Sequence, residues 1–378
     1  MKVAVTTLAF CAAALLALGL VMLYSSSVTQ VGAHYLMMQL VWCAFGFILC
    51  VAATALDYQW LRKFAWPIFV LALFLLVLVL VPHLGRKING ARRWFDFHGV
   101  RFQPSELGKI ALIIMLAWYG DRYQRQMQTW KRGVILPGIL IALVLGLVFI
   151  EPDRGTTVLL AAVSGTMLLV AGVRWKYIFP PVLLGAAGLA VSILHDPMRL
   201  RRIFSWWDLE QHKEGVGYQA YQAMIALGSG GWGGLGLGNG RQKLGFVPED
   251  HTDFIFSIIG EELGLIATLL VVLAFVVIAI CGIYIALRAR DPFGSLLAVG
   301  VTFLICLQAA INIGVVTSAL PNKGLPLPFI SYGGSNLLAM LTCVGLLFSV
   351  ARQAPAPEKV RRTVPVVDEN PFAAKAVP

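Results

Sequence analysis

Between two long apolar stretches the chain reads Pro248-Glu249-Asp250-His251-Thr252-Asp253-Phe254-Ile255-Phe256. Asp253 stands where a polar loop meets an apolar helix. A carboxylate at such a boundary is partly withdrawn from water, which tunes its basicity upward, and a base poised near the working pH is the more effective proton acceptor. The same position also suits a plainer task, since an aspartate ahead of a helix can cap its free amides. His251 reads as a hydrogen-bonding loop residue rather than a ligand, and no spaced His/Cys set suggests zinc. Glu261 and Glu262 lie further along the same apolar run. At about 100° per residue, Glu261 falls about 80° from Asp253 and Glu262 about 180°. Glu261 is then the better candidate to share the Asp253 face, and Glu262 faces another helix. Acids inside a membrane span require partners or protonation.

Other stretches carry polar chemistry. Gly85-Arg86-Lys87-Ile88-Asn89-Gly90-Ala91-Arg92-Arg93-Trp94 is basic, punctuated by glycine and closed by an aromatic. Guanidinium groups match phosphate geometry with paired hydrogen bonds, and Trp94 suits either stacking on a sugar or anchoring among lipid headgroups. Gln103-Pro104-Ser105-Glu106-Leu107-Gly108-Lys109 opens an apolar run, with Glu106 and Lys109 on one helix face. A lysine at mid-bilayer costs roughly 3 kcal/mol and usually marks a functional site; a structural Glu106–Lys109 pair is the alternative, and the two readings are compatible. Glu151-Pro152-Asp153-Arg154-Gly155-Thr156 packs two acids and an arginine into a short turn and reads first as local charge pairing. The glycine-rich stretch 228–240 lacks the Lys-Ser/Thr of a phosphate loop, so it reads as a tightly turned loop near the membrane. Pro321-Asn322-Lys323-Gly324-Leu325-Pro326-Leu327-Pro328-Phe329-Ile330-Ser331-Tyr332-Gly333-Gly334-Ser335 is stiffened by proline and offers Lys323 and Ser331 to a ligand as readily as it forms a plug.

The composition says what surrounds these groups. Of 378 residues, 58% are hydrophobic and 13% charged, against about 25% charged in soluble chains. Apolar runs near about 20 residues recur, each long enough to cross a bilayer, and in lipid each must be helical. The predicted fold is an all-α polytopic bundle of about ten spans, at 5–24, 36–56, 64–82, 104–119, 133–150, 155–172, 177–194, 254–286, 294–317 and 333–351, with a large outer loop, 195–253, before the eighth. An even count puts both termini on one side. Arg62, Lys63, Arg122, Arg125, Lys131, Arg132, Arg174, Lys176, Arg288 and Arg290 make that side cytoplasmic by the positive-inside rule. Outer loops 83–103 and 195–253 are also cation-rich, which suggests a polyanionic ligand on the outer face. The net charge of +11 points to anionic lipid or phosphate before nucleic acid. The six cysteines fall within apolar runs and read as packing residues. No cleavable signal is evident. From Gln353 the chain is rich in proline, alanine and charge and reads as a disordered cytoplasmic tail, 353–378, leaving 1–352 as one membrane domain.

Gly90-Ala91-Arg92-Arg93-Trp94, Gln103-Pro104-Ser105-Glu106 with Lys109, Pro248-Glu249 with His251-Thr252-Asp253-Phe254-Ile255, Gly260-Glu261-Glu262-Leu263-Gly264, and Pro328 with Ser331-Tyr332-Gly333-Gly334-Ser335 occur in this order. Together they resemble the FtsW/RodA/SpoVE, or SEDS, family over residues 5–352. Ala91-Arg92-Arg93-Trp94 and Pro321-Asn322-Lys323-Gly324 look closer to its division branch, FtsW, than to its elongation branch, RodA. Asp250 departs from what many relatives carry at that place.

The resemblance implies a peptidoglycan glycosyltransferase that polymerises lipid II, a disaccharide-peptide on polyprenyl pyrophosphate, at the outer face of the cytoplasmic (inner) membrane, at the division septum. It implies a class B penicillin-binding protein transpeptidase of the FtsI type and other divisome membrane proteins as partners. The family's essential aspartate maps onto Asp253, which would take the proton of the acceptor 4-hydroxyl. Arg86, Lys87, Arg92, Arg93, Lys109 and Lys323 are the candidate cations for the departing pyrophosphate. Trp94, Glu106, His251 and Ser331 complete the expected substrate contacts, with Ser105, Glu249, Glu261 and Glu262 in support. A single attack would invert the α-linked donor to a β-1,4 product. A divalent ion, Mg²⁺ or Mn²⁺, could bridge the pyrophosphate, although the sequence shows no dedicated cage. The competing expectation is a lipid II flippase, which would place polar groups through the bundle to both faces.

Overall fold

The computed structural model describes residues 1–88, 91–97, 100–248 and 251–355. Glu249, Asp250, the Asn89-Gly90 pair, the tail from 356 and the side chain of Lys87 lie outside the described residues. The helices are α1 (Lys2–Val31), α2 (His34–Ala55), α3 (Gln59–Lys63), α4 (Ala65–Leu80), α5 (Pro104–Arg122), α6 (Leu136–Ile150), α7 (Arg154–Val170), α8 (Trp175–Leu194), α9 (Pro197–Trp207), α10 (Tyr218–Ser229), α11 (Ile255–Leu287), α12 (Pro292–Val316) and α13 (Gly334–Arg352). Each of the ten expected apolar runs lies on one of them. Seven are long and apolar enough to cross a membrane: α1, α2, α6 with the π-helical turn before it, α8, α11, α12 and α13. α4 and α7 are apolar but shorter, and α5 carries Glu106, Lys109, Asp121 and Arg122.

α12 forms the middle of the bundle, packed against α5, α7, α11 and α13, while α13 lies along α2 and α1 along α11. Buried residues run almost unbroken through Gly108–Ala117 of α5. That is the pattern of a helix enclosed by other helices rather than one with a single apolar stripe. α8 stands at the edge, exposed along most of its length.

Two loops between the apolar helices hold more structure than an all-α reading expects. β1 Arg86–Ile88, β2 Ala91–Phe97 and β3 Val100–Phe102 form a three-stranded antiparallel sheet in the order β1-β2-β3. The register with β1 shifts within β2: Trp94 pairs with Arg86 and Arg92 with Lys87, which leaves Arg93 as the extra residue of a bulge. Ala91 and Phe95 are buried. The long loop before α11 contains α9 and α10. α9 starts at Pro197, with the Asp196 side chain accepting from the Met198 amide, a favourable helix start.

Candidate active site

Asp253 lines a cavity of about 500 Å³ at the loop end of the bundle. Phe254 occupies the N-cap position of α11, so Asp253 lies one residue ahead of the cap, half-buried. Its surroundings are held by main-chain bonds. The Asn312 side-chain amide of α12 donates to the Asp253 carbonyl at 2.7 Å and to the Leu325 carbonyl at 2.7 Å. Ser331 Oγ donates to the Thr252 carbonyl at 2.6 Å, and the Tyr332 amide donates to the His251 carbonyl at 3.0 Å. The His251 ring stacks on Tyr35 with centroids 4.8 Å apart. Residues 251–253 are thus strapped to α12 and to the loop between α12 and α13. Gly324 lies against the carboxylate, where a Cβ would collide with Asp253 Oδ2.

Five cationic side chains share the cavity with Asp253: Arg93, Arg154, Arg199, Arg202 and Lys323. Arg93 Nε donates to the Glu151 carbonyl at 2.9 Å and its Nη2 to the Pro152 carbonyl at 2.7 Å, which ties β2 to the turn before α7. Arg199 pairs with Asp196 at 2.9 Å. Asp153, the other acid of the cavity wall, caps α7 by accepting from Thr156 N at 3.2 Å and Thr156 Oγ1 at 2.9 Å. The crowding shows in the titration of two loop groups. Burial pushes Lys323 down to about 8, with Arg154, Arg93 and Arg202 adding to the effect and Asp153 opposing it. Glu151 is fully buried and pushed up to about 8, first by burial and then by Asp153, against Arg93. Apolar side chains, among them Val158, Leu189, Ile193, Ile311 and Val315, form the rest of the wall between α7, α8 and α12.

Of the described cations expected from sequence, Arg93 and Lys323 are at this cavity and Arg86, Arg92 and Lys109 do not line it. Arg86 pairs with Asp96 across the sheet. Arg92 and Trp94 do not line the cavity. Lys109 is buried in the bundle, 2.8 Å from Glu106 and 3.0 Å from Gln308 Oε1; the Gln308 amide donates onward to Pro326 O and Asn336 Oδ1, both at 2.9 Å. This is an enclosed network that joins α5, α12 and α13, because a lone ammonium there has no water to turn to. Ser105 is buried and accepts from Gln103 Nε2 at 2.9 Å. Ser331 both donates to Thr252 O and accepts from Leu327 N, so it braces the loop. Glu261 accepts the amides of Arg241 and Gln242, and Glu262 pairs with Lys243. Lys109→Met is accordingly expected to leave Glu106 uncompensated and to cost about 3–5 kcal/mol of stability, measured as thermal unfolding in detergent, with Lys109→Met/Glu106→Gln recovering part of the loss.

Arg154, Arg199, Arg202 and Asn312 are the site residues that motif reading misses. Arg199 and Arg202 stand three apart on a helix that a proline opens, a spacing that puts both on one face. Among the described residues no three His, Cys, Asp or Glu side chains gather as a metal cage. The cavity's acids are outnumbered by cations, a donor set that does not suit a resident divalent ion.

A family model described as cell cycle protein, FtsW/RodA/SpoVE, matches residues 6–355. A relative from Trichlorobacter lovleyi named probable peptidoglycan glycosyltransferase FtsW is 40% identical over 344 residues, 89% of this chain and 90% of that protein. A protein of the same name from Geobacter metallireducens is 40% identical over 346 residues, 90% of this chain and 92% of its own length. Among solved structures, a chain from work on structural coordination of polymerization and crosslinking by a peptidoglycan synthase complex superposes with a TM-score of 0.78 at 29% identity, covering 91% of this chain and 96% of that one. The crystal structure of the rod shape determining protein RodA of Thermus thermophilus superposes with a TM-score of 0.70 at 29% identity, covering 92% and 97%.

Proposed function

The chain belongs to the FtsW/RodA/SpoVE family of cell cycle proteins, and we propose that in its outer cavity Asp253 takes a proton from the acceptor sugar while the surrounding cations hold the departing polyprenyl diphosphate. The protein is a multi-pass membrane protein and a peptidoglycan glycosyltransferase. One observation carries the assignment of roles: a single cavity gathers one half-buried carboxylate at a helix start with five cations.

The acceptor hydroxyl gives its proton to the Asp253 carboxylate as its oxygen bonds to the donor anomeric carbon. The bond from that carbon to the diphosphate oxygen breaks, and the electron pair leaves with the diphosphate. Attack opposite the leaving group inverts the centre to the β-linked product. Charge that grows on the diphosphate is stabilised by fixed cations in a partly desolvated site, where such interactions are strongest. Arg202, Lys323 and Arg154 are the groups for that task. Arg93 is partly engaged with the 151–152 turn. The apolar wall of α7, α8 and α12 suits the first units of the polyprenyl chain.

The reading extends to ten spans with both termini cytoplasmic, to residues 1–352 as one catalytic unit, and to the inner membrane at the division septum. It also includes lipid II as substrate and a class B penicillin-binding protein of the FtsI type, with other divisome proteins, as partners. Purified chain with labelled lipid II, alone and with its transpeptidase partner, tests it. Glycan polymer is the expected product. Lipid translocation in vesicles, with no polymer under any partner condition, would instead assign a flippase.

The leaving-group role sets a pH dependence. With Lys323 held down to about 8, its charge is present below that pH and lost above it. The rate is therefore expected to fall as pH rises through about 8. Lys323→Arg should carry that limb upward, because a guanidinium stays charged. Glu151→Gln should leave the limb in place, although Glu151 titrates in the same range. Initial polymerisation rates from pH 6.5 to 9.5, on the order of the range where Lys and Glu at such sites titrate, decide it.

A further inference from the structure

The two acids within α11 and the glycine-rich stretch form one construction. Gly264 takes φ 78° and ψ −174° and breaks α11, so backbone groups on either side lose their helical partners. Residues 231–236 replace them. Leu235 N donates to Glu261 O at 3.0 Å and Gly236 N to Glu262 O at 2.9 Å, while Leu265 N donates to Gly231 O at 2.9 Å and Ile266 N to Trp232 O at 3.3 Å. Glycine is needed for so close an approach, since a Cβ on Gly230 would strike Gly260 O and one on Gly234 would strike Glu262 O.

Side chains complete the junction. Glu262 is fully buried and accepts from Lys243 Nζ at 2.7 Å, from Ser25 Oγ of α1 at 2.6 Å and from Gly238 N at 3.1 Å. Lys243, also buried, donates in addition to Gly238 O at 2.8 Å. Neither residue lines the Asp253 cavity. α1, the glycine-rich stretch and α11 therefore meet at one enclosed ion pair. The piece of α11 before the break, residues 255–263, is about 13 Å long at 1.5 Å per residue. Asp253 lies just ahead of one end of it and Glu262 near the other. A broken helix does not transmit direction through its own hydrogen bonds, so the tilt of this piece is set by its two clamped ends, the straps on residues 251–253 and the junction at Glu262.

We propose that Lys243, Glu262 and Ser25 form a positioning latch that sets the angle at which residues 255–263 present Asp253 to the acceptor hydroxyl. The proposal rests on Asp253 being the base. The three residues act through the helix piece and touch no substrate. A misplacement of about 1 Å at a reacting group can cost about 10²-fold in rate, so the latch acts on turnover and not on substrate capture.

The test uses the full chain with its transpeptidase partner and labelled lipid II, comparing wild type, Glu262→Gln, Lys243→Met, the double variant and the milder Ser25→Ala. Rates are expressed per folded protein, counted by monodisperse size-exclusion recovery. The expected result is a kcat at least about tenfold lower in Glu262→Gln and Lys243→Met, a KM within about twofold, and a double variant no worse than either single, because both act through one pair. Ser25→Ala, which keeps the ion pair, should lower kcat about threefold and keeps the question open to measurement if the charge variants do not fold. Wild-type kcat per folded protein in the variants that fold would overturn the latch, as would a loss confined to KM. Asp253→Asn alongside separates the two claims. Full activity there removes the base assignment itself, whereas an inactive Asp253→Asn with wild-type kcat in Glu262→Gln and Ser25→Ala removes only the latch.

Discussion

Asp253→Asn is expected to lower lipid II polymerisation by about 10²–10⁴-fold, the contribution of a positioned general base, while lipid II affinity stays within about twofold. The reason for expecting so clean a separation is structural. Three straps among the described residues run to main-chain carbonyls of His251, Thr252 and Asp253, and none of these carbonyls changes with the side chain. Asparagine also preserves the shape that packs against Gly324. The substitution removes a proton acceptor and leaves the cavity and its cations in place. Single-turnover glycan formation with pre-bound lipid II, beside equilibrium binding of the same lipid, measures both quantities. Polymer formation near the wild-type rate would mean that the proton leaves by another route.

Lys323→Met is the second large effect. Removing one group that stabilises developing charge typically costs about 10²–10³-fold in kcat. Lys323 is adjacent to the glycine that packs on the Asp253 carboxylate, and both belong to the cavity wall. Its loss should lower kcat and also weaken donor binding. Arg202→Ala on α9 should act in the same direction. Lys109→Met offers the contrast, since its ammonium is enclosed with Glu106 and Gln308. Stability should fall while the lipid II affinity of the folded fraction stays the same. Kinetics and binding of the three variants, each corrected for folded protein, distinguish a cation that meets the diphosphate from one that holds the bundle together. Equal loss of lipid II affinity in Lys109→Met would return that lysine to the donor site.

The helices were legible because lipid leaves the backbone no alternative, and each apolar run has its helix. Asp253 was legible for a related reason, as an acid at the boundary between a polar loop and an apolar run. The parts that escaped were those set by short-range geometry between distant segments. Arg92 and Arg93 look interchangeable as charges. They separate only once residues 91–97 form a strand with a register shift at Arg93, which reaches the turn before α7 and the cavity while Arg92 does not line it. Strands as short as β1 and β3, and a bulge between them, fall below what periodicity resolves. Arg199 and Arg202 stood in a loop counted only for its charge, and α9 turns them into a pair facing the cavity. The helical angle between Asp253 and Glu261 assumes that Asp253 is itself helical, whereas α11 begins only at Ile255, after the cap Phe254. Glu261 instead meets the amides of Arg241 and Gln242. Glu262 does face another helix, through Ser25 of α1.

The most direct test of the central claim is a structure of the chain with a lipid-linked disaccharide diphosphate bound, together with its transpeptidase partner. The account predicts the diphosphate in the outer cavity within about 3 Å of Lys323 and Arg202, a hydrogen-bond distance, with the Asp253 carboxylate facing the space that an acceptor 4-hydroxyl would enter. A diphosphate seated at the cytoplasmic end of the bundle, or a bound donor with the Asp253 carboxylate turned away from every sugar, would contradict it.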